Sequence, residues 1–257
     1  HSNPSAKSLQ VGRSAQNGII ATEWALMGAR GPVSVLEGRH GWIKAMGDSF
    51  DEKALMGALG TRWEIMNSYT KLYPTCRHCH HALDLSVIAF HEGVKLNDIA
   101  NVTIATYSLG IAEVGLIKIP KNVEEAMFSL AFAVSLAFKL GRIKYEDLEN
   151  YLNDKEIIRF SEKINIVADT DMDKKYPMQR GARLNIVLKN GIQKNYETVL
   201  PRGEPDTRLT MEEYLTKFTT ITSDYIAEDK TEGIFYDLMN LNYDQPISSE
   251  ILKKINT

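Results

Sequence analysis

Ala182-Arg183-Leu184-Asn185-Ile186-Val187-Leu188-Lys189-Asn190-Gly191-Ile192-Gln193-Lys194-Asn195-Tyr196-Glu197-Thr198-Val199-Leu200 is the stretch that decides the fold class. Two runs read as strands, Ala182–Leu188 and Lys194–Leu200, and Lys189-Asn190-Gly191 between them is a hairpin signal. A third strand candidate, Ile164–Ala168, stands shortly before them. A fourth, Ile99–Tyr107, is rich in β-branched residues with partial alternation. Between the first and the other three lie helical patterns: Val123–Leu140, apolar on most sides and so a buried helix, then Tyr145–Leu152 and Asp154–Glu162. One strand, helices, then three strands predicts an α+β fold with a small, mainly antiparallel sheet and helices on one face.

Helices flank this core on both sides. Ser5–Ala29 repeats apolar residues at helical spacing, with Ser5 as a cap and Gly28, Gly31 and Pro32 as stops. Gly12 and Gly18 inside it cost about 1 kcal/mol each relative to Ala, which points to close packing or to a backbone approached by something else. A Gly-rich connection with one short helix (Trp42–Met46) follows, then a short helix over Asp51–Leu59 and an alternating piece at Arg62–Met66. Ala82–Phe90 is the next apolar helix. After the loop Pro201–Pro205, Thr210 with Glu213 forms a capping box for a helix to about Tyr225. Helices at Lys230–Asn240 and Ser248–Asn256 complete the pattern. The order predicts a helical domain built from residues 1–70 and 209–257, with an α+β domain, 71–208, inserted between.

Composition sets the class. Of the 257 residues 44% are hydrophobic and 25% charged, ordinary for a globular chain that can bury a full core. The formal net charge is −3 with both signs interleaved, so no basic stripe invites nucleic acid. Two cysteines exclude a disulfide framework and fit a reducing, cytoplasmic setting. The amino-terminal residues show no signal-peptide pattern, and the longest apolar run, Ala126–Phe138, is too short to span a bilayer.

Chemistry concentrates in Lys71-Leu72-Tyr73-Pro74-Thr75-Cys76-Arg77-His78-Cys79-His80-His81. Pro74 biases Tyr73 toward extended geometry, so the chain turns before the helix. That places Arg77, His78, His80 and His81 around the helix start, where free N–H groups attract anions. Fixed cations bind carboxylates, Arg bidentately, and a histidine can move a proton near neutral pH. The alternative is a solvated surface cluster. Cys76 and Cys79 suggest zinc or redox chemistry, but a second ligand pair at zinc spacing and a βαβ context are both missing. Leu36-Glu37-Gly38-Arg39-His40-Gly41 lacks the spacing, the lysine and the preceding strand of a phosphate loop.

Several motifs together resemble the MmgE/PrpD family, which includes 2-methylcitrate dehydratase, cis-aconitate decarboxylase and an iminodisuccinate epimerase. Lys7-Ser8-Leu9-Gln10-Val11-Gly12 through Gly18 is similar to the family's Lys-x-Leu-x-x-Gly-x-Ala-Ala-x-x-Gly. Gly31-Pro32, Leu36-Glu37-Gly38 and Gly41 follow its next loop. Lys71 to His80 resembles Lys-x-Tyr-Pro-x-Cys-x-x-x-His. Tyr176-Pro177, Arg180-Gly181-Ala182, Pro201-Arg202-Gly203, Leu209-Thr210 and Lys217-Phe218 continue in order.

The resemblance implies an all-helical domain with an α+β lid, a homodimer, and no metal or organic cofactor. It implies a lyase acting on a small di- or tricarboxylate by proton abstraction beside a carboxylate. Dehydration of a 2-methylcitrate-like acid is the first expectation; decarboxylation and epimerisation are its alternatives. Lys7 and Lys71 are expected to line the cleft and clamp carboxylates, with His80 nearby to orient substrate or assist proton transfer. Arg77 and His78 join as substrate-binding residues on local chemistry alone.

The family's helical domain extends before the segment resembling 7–18, and in the decarboxylase that part carries an Asp, a Thr and two His of the cleft. The decarboxylase lid also has a tyrosine where this chain reads Glu113-Val114-Gly115-Leu116-Ile117. The chain is therefore expected to be a fragment of a larger enzyme or one part of a split protein that works with such a helical portion. A non-catalytic lid and dimerisation module is the rival reading, and a metal-binding module through Cys76 and Cys79 the last.

Overall fold

The computed structural model describes residues 4–241, except the side chains of residues 4, 5, 7 and 8. The chain divides into two compact units, His1–Asn67 and Ser68–Thr257. The Ser5 cap, the Lys7 side chain and the helix expected at Ser248–Asn256 lie outside the described residues.

The first unit holds α1 (Pro4–Leu26), α2 (Trp42–Met46) and α3 (Glu52–Met56). Asp51 starts α3 by accepting the Ala54 N–H at 3.1 Å. The alternating piece at 62–66 leads into a single 3₁₀ turn, Glu64–Asn67. A Cβ at Gly12 or Gly18 would meet nothing within 4 Å, so neither glycine serves close packing among the described residues.

The second unit carries α4 (His80–His91), β1 (Ile99–Thr106), α5 (Ser108–Val114), α6 (Val123–Met127), α7 (Leu130–Leu140), α8 (Tyr145–Asn150), α9 (Lys155–Lys163) and β2 (Ile164–Ala168). There follow α10 (Thr170–Lys175), β3 (Ala182–Leu188), β4 (Gln193–Thr198), α11 (Met211–Thr222) and α12 (Glu228–Met239). The fold is α+β, as the strand and helix order predicts.

The four strands lie in the order β2-β1-β3-β4. β1 pairs antiparallel with β3, and β3 with β4, but β1 and β2 run parallel. The sheet is therefore mixed rather than purely antiparallel. The physical reason is the connection: five helices separate β1 from β2, and a crossover of that length lets a strand return in the same direction. At the hairpin, Gly191 adopts φ 86°, open to glycine without a steric penalty, and the Ile192 N–H donates to Asn190 Oδ1 at 3.1 Å.

One face of the sheet, built from Val102, Ile104, Leu184, Ile186 and Ile164, is buried. α4 packs on β3 and β4 and against α7, which packs in turn against α9. α7 is buried from Leu130 to Phe138, and each of its large side chains contributes roughly 1.5–3 kcal/mol by leaving water.

Val123–Leu140 is two helices, not one. The Ser129 hydroxyl donates to the Ile117 carbonyl at 2.6 Å and accepts the Phe132 N–H at 3.2 Å, so it ends one helix and caps the next. The Thr210–Glu213 capping box forms as its spacing predicts, with Glu213 Oε2 accepting the Thr210 N–H at 2.8 Å.

Candidate functional site

The Lys71–His81 stretch leads into the amino end of α4. Residues 77–79 form a 3₁₀ turn, and α4 begins only at His80. The Cys79 N–H donates to the Cys76 carbonyl at 2.9 Å and the His80 N–H to the Arg77 carbonyl. Two amides that the sequence reading leaves for an anion are thus already used.

Behind this turn sits a buried ionic knot. Arg77, 5% exposed, donates from Nε and Nη2 to Glu204 Oε1 at 3.1 and 2.9 Å and from Nη2 to the Arg202 carbonyl at 3.0 Å. Its guanidinium also lies 4.7 Å from the Tyr69 ring centre. Asp84, on α4, accepts the Tyr73 hydroxyl at 2.9 Å and the Arg202 N–H at 2.8 Å. Burial pushes the Asp84 carboxyl up, and burial together with Asp84 pushes the Tyr73 phenol up. Thr70 completes the attachment by donating its N–H to the Gly203 carbonyl at 2.8 Å. Gly203 has φ 85°, and a Cβ there would collide with the Thr70 carbonyl, so this approach requires glycine. Loop 200–207 is thereby fastened to residues 70–84.

The surrounding donors assign the protons of two histidines. Arg77 Nη1 can only donate, so His80 Nδ1, 3.1 Å away, accepts and the ring proton sits on Nε2. That Nε2 is buried without a hydrogen bond of full geometry among the described residues, while the Thr75 carbonyl stands close enough to the ring to raise its proton affinity. The Thr106 hydroxyl donates to the Gly181 carbonyl at 2.8 Å and must accept from His81 Nε2 at 3.3 Å. Burial, then the Arg77 and Lys71 cations, lower His80 to about 3. Burial, then His78 and Arg77, lower His81 to about 3. Both rings are neutral at physiological pH. His78 is half-buried, and its Nδ1 lies 2.6 Å from the Tyr107 hydroxyl.

Three further cations stand near the turn. Lys71 is half-buried and donates to the Thr75 carbonyl at 3.1 Å. A hydrogen bond between the Thr70 and Tyr214 hydroxyls, 3.0 Å, ties the neighbour of Lys71 to α11. Lys217 stands one turn beyond Tyr214 on the same helical face. Burial, then the nearby Lys71 charge, lower the Lys217 ammonium, which makes no ion pair or hydrogen bond among the described residues. Arg180 reaches to 3.6 Å from Glu204 Oε1 but leaves its buried Nε without a partner.

The structure thus brings Lys71, Arg77, His78 and His80 into one region, while Lys7 lies in the other unit with its side chain outside the described ones. Sequence reasoning gives no role to Lys217, Arg180 or Tyr107. The first two stand in motifs quoted above, but only the tertiary fold carries them here. Cys76 is half-buried and Cys79 buried, both free thiols; burial pushes the Cys79 thiol up. Among the described residues no group of three or more His, Cys, Asp or Glu is arranged to hold a metal ion, and no helix is long and apolar enough to cross a membrane.

A family model described as the MmgE/PrpD C-terminal domain matches residues 73–240. That span holds Arg77, His78, His80, Tyr107, Arg180 and Lys217, and begins two residues after Lys71. A search of curated proteins found no match. The family match covers more than half of the chain and coincides with its α+β unit. The chain belongs to the MmgE/PrpD family.

Proposed function

We propose that the chain is the C-terminal part of a cofactor-independent lyase that acts on a small di- or tricarboxylate, a 2-methylcitrate-like hydroxy acid being the first candidate. Family membership points to lyase-type chemistry. The observation that carries the carboxylate reading is Lys217, half-buried beside Lys71 and without an ion pair or hydrogen bond among the described residues. Two buried donors in the same region, His80 Nε2–H and Arg180 Nε–H, also lack a hydrogen bond of full geometry among the described residues. Buried donors left unpaired cost about 1–3 kcal/mol each, and substrate carboxylates would relieve that cost.

The chemistry follows from charge. A proton beside a carboxylate is weakly acidic, and removing it builds enolate-like charge that fixed cations stabilise. In this reading Lys71 and Lys217 hold carboxylates, and Lys7, by family resemblance, supplies a further cation. Arg77, committed to Glu204, contributes by orienting His80. His80 acts by orienting substrate through Nε2–H, because Arg77 occupies the nitrogen that could accept a proton. Dehydration, decarboxylation and epimerisation share the proton-abstraction step, so decarboxylase and epimerase activities belong to the same proposal. Residues 1–70 and 209–257 as helical domain, 71–208 as lid, a cytoplasmic homodimer and a helical portion contributing the rest of the cleft are its structural counterparts.

Assay of the chain, alone and with a family helical portion added, against 2-methylcitrate, cis-aconitate and iminodisuccinate tests the proposal. Consumption of one of them, with a loss of at least tenfold in kcat/KM on Lys71→Ala, is the expected result. Unchanged turnover and unchanged affinity in Lys71→Ala would overturn the assignment.

A further inference from the structure

Tyr107 follows directly on β1 and is fully buried. Its ring stacks on Tyr176 with centroids 4.8 Å apart and meets the rings of His78 and His81 edge-on at 5.6 and 5.7 Å. Its hydroxyl makes one hydrogen bond among the described residues, to His78 Nδ1 at 2.6 Å. A neutral phenol always carries one proton, and leaving that proton unpaired in a buried position costs about 1–3 kcal/mol. The proton therefore points at His78 Nδ1, which must be bare to accept it. Burial, and then the Arg180 cation, hold the His78 ring below its ordinary range. Its one ring proton consequently sits on Nε2, the nitrogen that Tyr107 leaves unused. The charged groups felt there are Arg180, Glu113 and Lys71.

We propose that Tyr107 is a positioning residue that fixes His78 as an Nε2–H donor toward an anionic substrate oxygen, so that His78 binds substrate rather than abstracting its proton. The logic is the inverse of the familiar histidine base. There a carboxylate or carbonyl accepts from Nδ1–H and leaves Nε2 free to take a proton. Here the partner on Nδ1 is itself a donor, and Nε2 can only give. The placement of the proton stands on geometry; its use on a carboxylate rests on the function proposed above.

Nitrogen NMR of the histidine rings in the full chain tests both parts. His78→Gln assigns the His78 signals. At pH 7.5 His78 should appear as the Nε2–H tautomer, and Tyr107→Phe, which keeps the ring but removes the hydroxyl, should mix the two tautomers. His81, fixed by Thr106, should keep its tautomer and so report an intact fold. If Tyr107→Phe fails to fold, the native spectrum alone decides: an Nδ1–H or doubly protonated His78 overturns the proposal. An unchanged His78 tautomer in a folded Tyr107→Phe overturns it as well. In turnover, Tyr107→Phe should raise KM for 2-methylcitrate about tenfold with kcat within about twofold. A fall in kcat at constant KM would make His78 a proton-transfer group and overturn the binding role. Absence of any turnover even with a family helical portion added would refute the proposed function instead, leaving the tautomer result to stand or fall on its own.

Discussion

Arg77 and Lys71 belong to one short stretch, but they have opposite circumstances. Arg77 is buried and committed: Glu204, the Arg202 carbonyl and His80 use its donors. Lys71 is half-buried, and its neighbour Lys217 adds repulsion rather than a counter-charge. The Arg77 guanidinium and the Asp84 carboxylate are themselves matched, which is what holding a loop in place demands. Beside Lys71, the Lys217 ammonium has no acceptor among the described residues, which favours an anion there. A cation's surroundings, rather than its sequence position, separate structural from binding roles.

The sharpest way to break this contrast is Glu204→Ala, which leaves the Arg77 guanidinium buried without its partner. It should cost about 3–5 kcal/mol, read as a lowered urea midpoint. An effect below about 1 kcal/mol would mean that the knot does not hold the loop.

Acid should act next. His80 and His81 are held at about 3 in the folded chain, against an ordinary value of 6.5. As pH falls below 6.5 the unfolded chain binds protons first, so stability is present above that value and lost toward pH 3. The slope should reach about 1.4 kcal/mol per pH unit for each histidine. Asp84 opposes this. Its folded value is raised, so its contribution is full below the ordinary 3.8 and declines as pH rises through the raised value. Urea unfolding at stepped pH checks the sum, and His80→Gln should remove the His80 share of the slope, at most about 1.4 kcal/mol per pH unit.

The smallest effect on stability belongs to Lys217→Met. Removing a half-buried cation without a partner among the described residues should shift stability by no more than about 0.5 kcal/mol in either direction. The same change should weaken tricarboxylate binding about tenfold by calorimetry, equivalent to roughly 1.4 kcal/mol. Strong destabilisation with unchanged binding would place Lys217 in the scaffold and erase the contrast.

How much of this was legible in the sequence follows the range of the interaction. The Asn190-Gly191 turn and the Thr210–Glu213 box depend on neighbours a few residues away and are read directly. The four strands are found because each carries its own pattern. Val123–Leu140 misleads because what divides it is a hydroxyl bonded to Ile117, outside the periodic segment. The parallel pairing of β1 and β2 is invisible to strand patterns, which carry no direction. At the site, Lys71, Arg77, His78 and His80 are visible as a cluster of donors. Their difference in role is not, because it depends on Glu204, Arg180, Tyr107 and Lys217, brought in from distant parts of the chain.

The strand order has one further consequence. β2 and β4 are the two edges of the sheet, and an open edge is a template on which other chains can polymerise. β4 presents Gln193, Lys194, Asn195 and Glu197, too polar and too charged to recruit a neighbour. β2 is five residues long, and Lys118 donates to its Ile164 carbonyl at 2.8 Å. Both borders are guarded against strand addition, so the sheet can stay unextended at the concentrations of a crowded cell.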